Sequence, residues 1–131
     1  MRKYAILKEP FPLNDYGDIC VKIMLHETKH GTYSYLYTTS DEYGWAKFDN
    51  CFEDLADAEE FGRECGIYDD DWVHIPDPLE YCSCDQIHPI RRKGRNTGDY
   101  QLPSQYELWN GVEWIDIGVD IENGRCFMIV E

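Results

Sequence analysis

The sequence predicts an α+β fold, with an antiparallel sheet packed against one main helix at about residues 51–65. Three observations carry this. Residues 18–39 hold two successive runs that either alternate in polarity or are β-branched and aromatic throughout, the pattern of half-buried strands. One stretch repeats its apolar residues at helical spacing, Leu55, Ala58, Phe61 or Gly62, and Cys65. The last third places two Asn-Gly pairs, at 110–111 and 123–124, between apolar residues, the strongest short-range hairpin signal. The 131 residues suit a single domain. A chain of that length buries about two-thirds of its unfolded surface and needs no staples.

Taken in order, "KYAILK" at 3–8 reads as an N-terminal strand that "EPFPLNDYGD" breaks, because prolines cannot extend a central strand. In "DICVKIMLH", Ile19, Val21, Ile23 and Leu25 share one face, and Cys20, Lys22, Met24 and His26 the other. "TYSYLYTT" at 32–39 is the next strand, and "WAKF" at 45–48 reads as a third meander strand. Asn50 followed by Glu53 resembles a capping box opening the helix. Gly66 suits the left-handed position that closes it.

Residues 67–103 lose regularity, punctuated by Pro76, Pro78 and Pro89. Short extended pieces are expected around Trp72–Ile75 and Ile87–Ile90. In the C-terminal meander the apolar parity changes between Trp114 and Ile115, which predicts a bulge there or at Gly118. Trp45, Trp72, Trp109 and Trp114 are expected at the core or its rim.

Composition excludes whole classes. With 43% hydrophobic and 15% aromatic residues the chain is not disordered. Its longest apolar runs, "YAIL" and "FMIV", are too short for a membrane helix or a signal peptide. A cytoplasmic location is therefore expected, with the six cysteines reduced. Cys82 and Cys84 are too close in sequence to pair comfortably with each other.

The net charge is −14 and unevenly spread. Between Asp41 and Asp85 stand fifteen acids against Lys47 and Arg63, whereas Arg91, Arg92, Lys93 and Arg95 cluster just after. Overall acidity argues against nucleic acid as a partner and admits a basic protein instead.

Four constellations could carry chemistry. Cys82 and Cys84 would share one side of a strand, and His88 or His74 could join them around zinc. The usual two-residue gap and a second cysteine pair are missing, and Cys51, Cys65 and Cys126 stand where core residues belong. "RRKGRNTG" could reach phosphates, with Tyr100 near enough to stack on a base. Its simpler reading is a solvated loop that offsets the acidic segment.

The acidic middle lacks the alternate spacing of a calcium loop. It suits docking instead: Glu53, Asp57, Glu60, Glu64, Asp69, Asp70 and Asp71 would steer a partner, and Tyr68 and Trp72 would anchor it. For catalysis there is no phosphate-binding loop, nucleophile elbow or zinc-protease motif. Cys84 with His88 or His74 is the one nucleophile–base pairing that can be constructed. The expectation is thus a non-enzymatic interaction protein of the inhibitor or immunity type, with a thiol- or zinc-dependent site at Cys82, Cys84 and His88 as its rival.

Overall fold

Alternation in "DICVKIMLH" makes a strand that both neighbours can pair, and the first sheet grows from it. The structure is a computed structural model that describes residues 1–99 and 105–129. The chain divides into two compact units, Met1–Ser40 with Ala46–Asp77, and Asp41–Trp45 with Pro78–Glu131. All strand pairs among the described residues are antiparallel. With one α-helix beside these sheets, the α+β class holds.

The first unit is a five-stranded sheet with one helix. Its strands are β1 (Arg2–Pro12), β2 (Ile19–Thr28), β3 (Gly31–Tyr37), β4 (Phe48–Phe52) and β5 (Val73–Ile75), in the order β4-β3-β2-β1-β5. The prolines do not end β1. Its register against β2 jumps from Ile6↔Lys22 to Phe11↔Cys20, so extra β1 residues bulge out and Pro10 sits among them. The alternation of β2 also inverts within the strand. Cys20, rather than Ile19, joins Ile23 and Leu25 in the core, and Ile19 is exposed. From Lys22 to His26 every residue is buried. Lys22 has no exposed surface, and its Nζ lies 4.3 Å from the centre of the Tyr37 ring.

The third meander strand lies three residues later than "WAKF". "FDNCF" pairs with β3 from Leu36↔Phe48 to Thr32↔Phe52. That ladder claims Asn50, so the capping box with Glu53 does not form. The helix α1 spans Leu55–Glu64, and Asp54 caps it by accepting the Asp57 N–H at 2.9 Å. Gly66, at φ +87°, closes it as expected. Its N–H reaches Arg63 O and that of Ile67 reaches Gly62 O, the double bond of a Schellman end.

Ala58 and Gly62 face the sheet, and the core joins them to Ala5, Leu7, Ile23, Leu25, Leu36, Ile67 and Trp72. Burying each large aliphatic side chain contributes about 1.5–3 kcal/mol. Trp72 therefore belongs to the core, as one expectation for it held.

The second unit is a four-stranded sheet, β6 (Ile90–Arg92), β7 (Tyr106–Trp109), β8 (Trp114–Asp120) and β9 (Arg125–Met128), in chain order. Both Asn-Gly pairs make hairpins, but with four-residue loops, 110–113 and 121–124. Asn110 Oδ1 accepts the N–H groups of Val112 and Glu113, both at 2.9 Å. Val112 is thus a turn residue, so the parity change needs no bulge, and β8 pairs without interruption on both sides.

Ile90, Leu108, Ile117 and Cys126 form the core, with Tyr43, Trp45, Tyr106, Ile115 and Val119 against it. On the opposite face Arg91 bonds its cross-strand partner Glu107 at 2.7 Å and lies 3.6 Å over the Trp114 ring. Trp109 and Trp114, opposite each other in the ladder, pack with ring centres 5.5 Å apart.

Candidate functional site

Burial of Ala58 and Gly62 fixes which side of α1 meets the sheet, and the helical period then turns the acids outward. Glu53, Asp57, Glu60 and Glu64 are all exposed. The chain then runs through Tyr68, 60% exposed, into a 3₁₀ turn at Asp69–Asp71 with Asp69 and Asp70 exposed.

Two of these acids are partly neutralised. Glu60 bonds Arg63 at 2.8 Å, which raises the guanidinium pKa. Asp71 accepts the Tyr68 N–H at 2.9 Å and faces Lys8 at 3.3 Å, and both hold its carboxyl below the ordinary range. Among the described residues, Glu53, Asp57, Glu64, Asp69 and Asp70 make no ion pair.

A cleft of about 750 Å³ opens beside this acidic stretch. β1 supplies Lys8 and Pro10 from its bulge and Phe11 just after it, and the end of α1 supplies Phe61, Arg63 and Glu64, with Tyr68 at the same cleft. Sequence reading missed it, although two prolines inside an apolar strand run were the available signal for a bulge. Trp72 cannot serve as a contact anchor, because only 8% of it is exposed. Its ring is held by the core and by Lys3, whose Nζ lies 5.0 Å from the ring centre and 2.7 Å from Glu59.

The four proposed zinc ligands fall into different surroundings. His74 sits in β5 opposite Lys3, in the first unit. Cys82, Cys84 and His88 belong to the second. Cys82 is buried and Cys84 exposed. His88 Nε2 is 3.1 Å from Glu42 Oε2, with its ring 4.9 Å from that of Tyr43. Among the described residues, no group of three or more His, Cys, Asp or Glu converges as the ligands of an ion would. No cysteine is in a disulfide. Cys126 is in the core of the second unit and Cys65 packs against that of the first, whereas Cys51, expected in a core too, is exposed on β4.

The basic cluster is less of a loop than its sequence suggests. Arg91 and Arg92 are strand residues, and Arg91 and Lys93 pair with Glu107 and Asp116 of their own sheet. These two partners lie outside residues 41–85. Only Arg95 of the four is exposed. Tyr100, the candidate stacking residue, lies outside the described residues.

The second unit has a cavity of its own, about 640 Å³, walled by Trp45, Tyr106, Asp85 and Gln86 over Ile90 and Cys126. Burial, reinforced by the charges of Asp85 and Asp41, pushes the Cys126 thiol up to about 11, so it stays protonated at neutral pH.

No protein-family model, curated protein or solved structure matches the chain. No helix among the described residues is long and apolar enough to cross a membrane.

Proposed function

We propose that the protein is a non-enzymatic binding module whose first unit docks a basic protein partner. One observation supports this above the rest: exposed carboxylates without ion pairs stand along α1 and the turn after it, and one of them, Glu64, lines an open cleft together with Tyr68. Such charges raise the encounter rate with a cationic surface, and Tyr68 with Phe11 and Phe61 of the cleft supplies apolar contact area that holds it. The acids contribute little to the fold, because none of them but Glu60 and Asp71 has a fixed cation. The cytoplasm is the compartment this reading assumes.

The test is capture on the immobilised protein beside the variant D57K/E60K/E64K. Proteins should be retained by the parent at about 50 mM salt, released at about 500 mM, and not retained by the variant. Circular dichroism should show the same fold in both. If parent and variant retain the same proteins equally, the acidic face is not the docking surface.

A further inference from the structure

The first unit ends in an edge strand that lacks the protection the other sheet edges have. β5 is three residues long and runs into Pro76 and Pro78. β6 is also three residues long and follows Pro89. The outer edge of β9 is occupied: the Cys126 N–H donates to Tyr43 O at 2.9 Å, and Gly124 O accepts the Trp45 N–H at 3.0 Å. Short strands, prolines and covering loops are the usual devices that keep a sheet edge from pairing with another chain.

β4 has none of them. It is five residues long, contains neither proline nor lysine, and pairs with β3 without a bulge. Among the described residues its backbone pairs with no other strand. Phe48, Asp49, Asn50 and Cys51 are all exposed.

We infer that β4 is a strand-addition site for a basic extended segment of the partner. The inference rests on the reading that the partner is basic, and it names how that partner is held. Main-chain hydrogen bonds to an edge give affinity, and alternate side chains give specificity. Here the specificity is for cations. Asp49 lies on the edge itself, and Glu53, Asp54 and Asp57 follow it, all exposed and without an ion pair among the described residues.

A Lys or Arg at every second position of an added strand would sit beside Asp49, where an opposite charge across the ladder is favourable. A second copy of this chain is the poorer occupant. Pairing of β4 with β4 would bring together two chains that each carry a net charge of −14.

The probe is an alternating Lys-Thr peptide of about eight residues, a typical strand length. Its companion has the same sequence with alternate amides N-methylated, which keeps the charge and removes the ladder donors. The parent peptide should bind at low salt and protect the outward amides of residues 48–52 from hydrogen exchange. The methylated peptide should bind about tenfold more weakly, the cost of losing main-chain bonds. Asp49→Lys, which places a blocking cation on the edge, should abolish the protection.

Equal binding of both peptides without protection of β4 overturns strand addition and leaves the basic-partner reading standing. Absence of binding by either peptide also overturns it, and the capture experiment then judges the broader reading separately. Protection of β4 that rises with protein concentration in the absence of peptide overturns it in favour of self-association.

Discussion

Gly62 shows how much one hydrogen atom decides. A Cβ at that position would lie 2.8 Å from Trp72 Cζ2, deep in the core of the first unit. In an exposed helix, Gly→Ala would gain about 1 kcal/mol. Here the Trp72 ring has nowhere to move, and overpacking costs about 1–3 kcal/mol. Gly62→Ala is therefore expected to destabilise by about 1 kcal/mol in urea unfolding.

Gly118 is the control. A Cβ there would meet the ring of Phe127, its cross-strand partner, but that ring is 39% exposed and can swing outward. Gly118→Ala should stay within about 0.5 kcal/mol of the parent. A stabilised Gly62→Ala would mean that the Trp72 packing is loose.

At this scale the sequence was partly legible. Alternation marked Ile23 and Leu25 as core, and the tryptophan expectation placed Trp72 there. It could not reveal that Cys20 crosses to their side, because the inversion inside β2 depends on the β1 bulge beside it. Nor could it separate exposed Cys51 from buried Cys126, since burial of a small thiol is set by what the fold brings over it.

Among the elements, the start of α1 separates local signals that look alike in sequence. Asn50…Glu53 and Asp54…Asp57 are both plausible caps within one turn of each other. The first loses because Asn50 is needed in the β4 ladder, and five ladder positions outweigh one cap. Asp54→Ala is expected to cost about 1 kcal/mol, because the Asp57 N–H loses its acceptor. Asn50→Ala, at an exposed ladder position, should stay within about 0.5 kcal/mol. Thermal unfolding of the two variants checks this. A larger loss for Asn50→Ala would restore the earlier cap.

The closing signal is legible in the sequence because Gly66 answers to backbone geometry alone, a positive φ that few other residues adopt. The hairpins were legible for the same reason, but their loop lengths were not, since Asn110 folds its side chain onto two further amides. The irregular stretch before β6 hid its one strong element. Arg91 and Glu107, sixteen residues apart, meet only through strand pairing, which no local pattern encodes.

On the scale of the whole molecule, charge is the term most open to measurement. Net charge −14 destabilises any compact state through self-repulsion, and here most of the excess falls within residues 41–85. The attractive pairs are of two kinds. Lys3–Glu59 and Arg91–Glu107 are largely shielded from solvent and therefore from salt, whereas Lys8–Asp71, Arg63–Glu60 and Lys93–Asp116 each have at least one partner substantially exposed.

Exposed pairs are worth about 0–1 kcal/mol, so screening them removes little. Screening the unpaired acids of α1 removes more, because they repel one another over distances near the Debye length of about 10 Å. Salt should thus stabilise this protein. Raising sodium chloride from about 20 to about 300 mM is expected to lift the melting temperature by about 3–5 °C, the equivalent of about 1 kcal/mol in a chain of this size.

The variant D57K/E60K/E64K should start from a higher melting temperature and respond less to salt, although it loses the Glu60–Arg63 pair and the first-turn acid Asp57 that the helix dipole favours. Replacing Glu64 also removes an acid from the helix end, where the dipole disfavours it. A melting temperature that falls with salt in the parent would mean that the exposed pairs outweigh the repulsion. The acidic face would then be part of what holds the fold, and retaining it would need no partner to explain it.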